Sequence, residues 1–169
     1  MSVPEANMIA EPAEGFKTFL KTLTGGRISV AALAVGTAEI AYEKALRYSK
    51  ERSAFGQKIT QFQPVSFKLA NMATQIEAAK LLTFHAAWKK DQGLDIAKEA
   101  AMAKLFASEV AMKTTTDAIQ IHGGYGYVKG YDVERYFRDA KILEIGEGTS
   151  EIQRLIISRE ILKTIEDVV

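Results

Sequence analysis

At 169 residues, with 47% hydrophobic and 25% charged side chains, the chain is long enough to bury one sizeable core and reads as a single domain. Its 22 Lys and Arg against 21 Asp and Glu leave a net charge of +1, which supplies no general field for nucleic acid or an acidic membrane. The lack of cysteine removes disulfides, thiol nucleophiles and thiolate metal sites, and the two histidines leave little room for other metal chemistry.

The first residues, MSVPEANMIAEPAEGF, carry acids and prolines where a signal peptide has a basic and then an apolar stretch, and no apolar run approaches a membrane span. The protein is expected to be intracellular and soluble. Residues 1–14 read as an extended, turn-rich lead-in. Pro64 is the one proline beyond Pro12, so the body can be mostly helix. Gly15 to Leu23 predicts a short helix broken at Thr24-Gly25-Gly26. A long helix follows from Ile28 to about Lys50, with Ala31, Val35, Ala38, Tyr42 and Ala45 on one face. Arg52-Ser53-Ala54-Phe55-Gly56-Gln57 interrupts it. Thr60 and Gln63 have capping-box spacing at the start of a second helix, which runs to about Lys90 on a stripe of Leu69, Met72, Ile76 and Ala79; Asp91-Gln92-Gly93 stops it. A third helix spans Ile96 to about Ile121, where Leu105, Met112 and Ile119 recur at sevens beside Phe106 and Val110.

Glycines 123, 124, 126, 130, 146 and 148 fall in two late clusters, which implies loops with special backbone demands. Val133 to Lys141 suggests a short helix between them. Ser150 and Gln153 repeat the capping-box spacing before a last helix carrying Ile152, Leu155, Ile156 and Leu162. No alternation is long enough for a sheet. The expected fold is all-α: an antiparallel, four-helix-type bundle with short additional helices over 15–169.

The most specific string is Ile145-Gly146-Glu147-Gly148-Thr149-Ser150-Glu151-Ile152-Gln153-Arg154. A carboxylate between two glycines, just before a helix, can be aimed into a cavity, and desolvation by an apolar ligand strengthens it as a proton acceptor. On spacing alone the plainer reading, an acid favouring the helix dipole, is the stronger of the two. The string resembles the C-terminal signature of the acyl-CoA dehydrogenase family, of the short/branched or medium-chain-like type with its base in Glu147-Gly148-Thr149. The resemblance runs along the chain through Leu23-Thr24-Gly25-Gly26-Arg27, Tyr48 to Gly56, Phe62-Gln63, Leu69-Ala70-Asn71-Met72, Glu99 to Lys104, Gln120 to Gly126 and Arg138-Asp139-Ala140. Val3-Pro4-Glu5-Ala6-Asn7 is similar to the segment leaving that family's middle β-domain.

The resemblance implies α,β-dehydrogenation of an acyl-CoA thioester, with Glu147 as the base that removes the α-proton while hydride leaves the β-carbon for FAD. Family members that carry the base on the first long helix do so at the position of Gly26, so this chain resembles the majority. The resemblance further implies FAD contacts from Arg52 to pyrophosphate, from Phe55 and Gln63 to the flavin of a neighbouring subunit, from Gln120, Gly123 and Gly124 to the adenosine half, and from Thr149 and Glu151 near the flavin. Arg27 and Gly148 match substrate-proximal positions. Each has a plainer alternative: Arg52 solvated at a helix end, Phe55 in the core, Gln63 and Thr149 as caps, Gly123 as a helix stop. His122 and the pair Arg138-Asp139 read as structural.

Electron-transferring flavoprotein as acceptor, a homo-oligomer, and a cytoplasmic or, in a eukaryote, mitochondrial-matrix location follow from the same resemblance. Thr24 stands where aspartate is frequent, and Gly146 where tyrosine is. The family's N-terminal helical and middle β-domains, which supply one flavin wall and much of the acyl pocket, have no counterpart in these residues, so the isolated chain is expected to lack stoichiometric FAD and turnover. Two other classes compete. A non-catalytic assembly module would use the same stripes, and a di-iron bundle needs Glu-x-x-His pairs, which neither His85 nor His122 supplies.

Overall fold

The structure, a computed structural model, describes residues 4–8, 11 and 14–166, with side chains through 163. Of the lead-in, Glu5–Asn7 form an exposed 3-10 turn; Val3, Pro12 and the last three residues of the span lie outside the described residues. The described chain is an all-α bundle of six helices: α1 (Gly15–Glu51), α2 (Gln63–Asp91), α3 (Ala97–His122), α4 (Gly124–Tyr127), α5 (Val133–Leu143) and α6 (Ser150–Glu166).

The first two expected helices are one. Gly25 and Gly26 lie inside α1, and neither adopts positive φ. An interior glycine costs only about 1 kcal/mol relative to alanine, too little to stop a helix anchored by a buried stripe that begins at Arg27. The pair serves close approach instead, since a Cβ at Gly25 would stand 3.2 Å from Lys90 Nζ.

Past Glu51 the chain makes a ribbon absent from the expected fold, in which β1 (Ser53–Ala54) pairs antiparallel with β2 (Gln57–Lys58). The two-residue loop Phe55-Gly56 has positive φ at both positions, 50° and 81°, as a primed hairpin turn requires. Strands this short leave no alternation to read. The Thr60/Gln63 capping box does not form: residues 59–61 make a 3-10 turn, Gln61 Oε1 accepts the Lys58 N–H at 3.2 Å, and α2 starts at Gln63 with Pro64 in its first turn.

α3 is the central helix, packed on α1, α2, α5 and α6. Its buried positions, Ala100, Ala103, Ala107, Ala111 and Ala118 among them, surround most of the helix, whereas Leu105, Met112 and Ile119 are half-buried. Fully buried Ala31, Ala34, Ala38, Ala41 and Ala45 of α1 meet it. Alanine on both sides of the seam lets the helices approach closely and loses no rotamer entropy. Arg138 pairs with Glu134 at 2.9 Å, one helical turn back, rather than with adjacent Asp139; residues three or four apart share a helix face and successive ones do not. On α6, Ile152, Leu155 and Leu162 are exposed, so the last helix carries apolar side chains that this chain leaves uncovered.

Candidate active site

The loop between α5 and α6 brings Glu147 against α1. Glu147 has φ 57° and Gly148 φ 95°, and this left-handed pair turns the Glu147 side chain onto Gly26, where a Cβ would sit 2.9 Å from Oε2 and 3.1 Å from Cδ. Only glycine leaves that space. Oε2 is buried without a hydrogen-bond partner. A buried carboxylate oxygen of this kind is expensive unless something binds it.

A left-handed glutamate costs about 1–2 kcal/mol, so neighbouring contacts must hold it. Gln153, fully buried, donates from Nε2 to the Gly148 carbonyl at 2.8 Å and to the Glu147 carbonyl at 3.2 Å. Lys104, also fully buried, donates from Nζ to the Gly148 carbonyl at 2.8 Å. With about 1 kcal/mol for a neutral bond and 1.5–3 for a charged one, these contacts outweigh the backbone cost. The Gln153 amide is therefore committed to the loop carbonyls, and the Ser150/Gln153 capping box is not made; the Ile152 N–H points instead to Thr149 Oγ1 at 3.5 Å.

Arg27, 7% exposed, shares this end of α1. Burial pulls its guanidinium below the usual range, opposed by the Glu147 carboxylate. Its Nη1 reaches only the neutral Thr24 hydroxyl, at 3.4 Å, and its Nε is unpartnered. An acid and a base, each with an unsatisfied polar atom, thus stand together in a partly desolvated site. Glu151 is exposed, and hydrogen bonds from its own backbone N–H and from the Thr149 hydroxyl hold it below the usual carboxylate range.

A second locus gathers Arg52, Gly123 and Gly124 around an open groove of about 530 Å³ walled by Tyr48, Ile59, His122 and Tyr125. The Arg52 guanidinium carbon lies 5.7 Å from the Tyr125 ring centre. Gly123 combines φ 60° with ψ −137°, backbone open essentially to glycine alone, and no atom stands within 4 Å of a Cβ position at Gly123 or Gly124. A guanidinium above aromatic and apolar walls suits an anionic ligand with a flat ring. Gln120 is exposed on the last turn of α3 and does not line the groove. Phe55 is 96% exposed, so it is no core aromatic, and Gln63 is exposed at the first residue of α2. Among the described residues no group of three or more His, Asp or Glu could hold a metal ion.

A family model described as "Acyl-CoA dehydrogenase, C-terminal domain" matches residues 13–162. The chain belongs to the acyl-CoA dehydrogenase family. It is 59% identical over 161 residues to the probable acyl-CoA dehydrogenase YngJ of Bacillus subtilis (strain 168), covering 95% of this chain and 42% of that protein. It superposes on butyryl-CoA dehydrogenase from Megasphaera elsdenii with a TM-score of 0.94 at 51% identity, over 95% of this chain and 42% of that one. A chain from the structure titled "Electron transferring flavoprotein of Acidaminococcus fermentans: Towards a mechanism of flavin-based electron bifurcation" also superposes with a TM-score of 0.94, at 53% identity and with the same coverage. The chain thus spans about two fifths of the length of these relatives.

Two residues of this acyl-CoA dehydrogenase C-terminal domain escape sequence reasoning. Lys104 stands among alanines of α3, where a charged residue in an otherwise small, apolar stretch is the available signal. Gln153 is legible as a cap and is used otherwise.

Proposed function

We propose that this chain is the C-terminal helical domain, residues 15–169 behind a lead-in at 1–14, of an FAD-dependent acyl-CoA dehydrogenase in which Glu147 removes the α-proton of an acyl-CoA thioester. The observation that carries the reading is the buried, unpartnered Oε2 of Glu147, held on a non-glycine left-handed residue. Strain and an unsatisfied oxygen at one residue are the marks of a group kept for chemistry.

The α-proton becomes acidic when the thioester carbonyl is polarised. The backbone N–H of Glu147 donates to that carbonyl, and the side chain of the same residue accepts the proton. Arg27 and Gly148 line the acyl side. When bound, FAD supplies the hydride acceptor for the β-carbon. Arg52 would hold its pyrophosphate, Gly123 and Gly124 would admit the adenosine half, which Gln120 would meet from the last turn of α3 outside the groove, and Phe55 and Gln63 would reach the flavin of a neighbouring subunit of the homo-oligomer. Thr149 and Glu151 complete the wall beside Glu147. The groove's guanidinium, aromatic walls and open glycine positions fit such a dinucleotide. The acceptor of the electrons is an electron-transferring flavoprotein, and the location is cytoplasmic, or the matrix in a mitochondrion.

The reading is tested with a chimera in which this chain replaces the matching segment of the Megasphaera elsdenii butyryl-CoA dehydrogenase. The chimera should retain FAD and oxidise butyryl-CoA, while the isolated chain should do neither. A colourless, inactive chimera, or a yellow, active isolated chain, contradicts it.

A second reading, a non-catalytic assembly module, draws on the exposed Leu81, Phe84 and Trp88 of α2, which share one helix face. It requires that Glu147→Gln cost the chimera nothing.

A further inference from the structure

Lys104 and Gln153 converge on one peptide unit from two different helices. The Gly148 carbonyl oxygen accepts the Lys104 ammonium at 2.8 Å from α3 and the Gln153 amide at 2.8 Å from α6, and the same amide reaches the Glu147 carbonyl at 3.2 Å. Neither side chain has exposed surface, so neither can touch bulk solvent; the donors of both go to backbone oxygens, while Gln153 Oε1 is buried without a partner.

The ammonium is the informative member. Burial pulls Lys104 below the usual lysine range, with Glu144 opposing that and Arg27 adding to it. A buried charge is costly, and an apolar side chain of similar volume fills such a space at least as well. Lys104 is therefore poorly explained as packing. What it binds is the carbonyl immediately after the strained residue, and its charge makes that hydrogen bond stronger than a neutral donor could.

The geometry points to Lys104 and Gln153 as positioning residues: by holding the Gly148 carbonyl, and in the case of Gln153 the Glu147 carbonyl as well, they fix the backbone of Glu147 and Gly148 in its left-handed form and so keep the Glu147 carboxylate on the Gly26 face of α1. This rests on the reading of Glu147 as the base. Without the clamp, φ of Glu147 returns to the negative range favoured by residues with a Cβ, and the carboxylate swings off Gly26.

Lys104→Met and Gln153→Met, made separately in the flavin-loaded chimera, remove the donors and keep the volume. Each should lower kcat per bound flavin by on the order of 10²-fold, as expected for a small misplacement of a reacting group, with KM for butyryl-CoA within about threefold. The isotope effect with α-deuterated butyryl-CoA should rise above that of the unsubstituted chimera. In the isolated Lys104→Met chain, the structure should show Glu147 leaving positive φ while the melting temperature is not lowered. If one variant fails to fold, the other decides. Both variants retaining kcat per flavin within twofold, or losing activity only in proportion to folded protein with an unchanged isotope effect, overturns the inference. Glu147→Gln separates the two readings: an active Glu147→Gln chimera removes the base itself, whereas an inactive one beside active clamp variants removes only the clamp.

Discussion

The Glu147 carboxylate rests on Gly26, with Oε2 2.9 Å from where a Cβ would begin. Gly26→Ala therefore separates stability from chemistry. Alanine favours the helix interior by about 1 kcal/mol, yet its methyl displaces the carboxylate. The melting temperature of the chain should stay level or rise. In the chimera, kcat should fall about 10–100-fold with little change in KM, as steady-state kinetics with butyryl-CoA can check.

Phe55 makes a similar trade. It is 96% exposed with φ 50°, so the chain bears left-handed strain for a ring that contributes almost nothing to its own core beyond an edge contact with Phe62 at 6.3 Å. Asparagine tolerates that backbone. Phe55→Asn should stabilise the isolated chain by about 1 kcal/mol in thermal unfolding and weaken FAD retention by the chimera.

The bundle was legible because Ala31, Val35 and Ala38, and later Leu69, Met72 and Ile76, repeat at helical spacing and are buried as that spacing implies. Gly25-Gly26 misled because glycine marks both a helix end and a close approach, and only the partner, Lys90 or Glu147, distinguishes them. The buried faces of α3 were hidden for a related reason: a helix covered on most sides has no single stripe. Glu147 stood out by its glycines. Lys104 and Gln153 did not, because their partners are backbone oxygens 44 and 5 or 6 residues away, and sequence carries no mark of a carbonyl that needs a donor.

Arg52 tests the proposed cofactor groove. A guanidinium offers two parallel donors to a pyrophosphate and an ammonium one point charge. Arg52→Ala should weaken FAD binding to the chimera by about 10–100-fold, the equivalent of one charged hydrogen bond. Arg52→Lys should fall between. Flavin fluorescence titration of the stripped chimera measures both; equal affinity for all three proteins would remove Arg52 from the site.

His122 should make the fold sensitive to acid. Burial depresses its pKa, opposed by the hydrogen bond to the Ala118 carbonyl and assisted by Lys44, while the ring stacks on Tyr48 at 4.3 Å. With the folded value below the unfolded one, this contribution is complete above the unfolded pKa, near 6.5, and is lost as pH falls through the folded value. The melting temperature should drop below about pH 6.5, and His122→Phe, which keeps a stacking ring, should flatten that part of the profile. An unchanged slope would mean that other groups set it.

The most direct measurement on Glu147 is rapid mixing of the Glu147→Gln chimera with butyryl-CoA, following flavin absorbance. Glutamine preserves shape and cannot accept the α-proton. FAD and butyryl-CoA should still bind, and flavin reduction should slow by about 10²–10⁴-fold, the range general-base catalysis supplies. Reduction within tenfold of the unsubstituted chimera would contradict the assignment of the base.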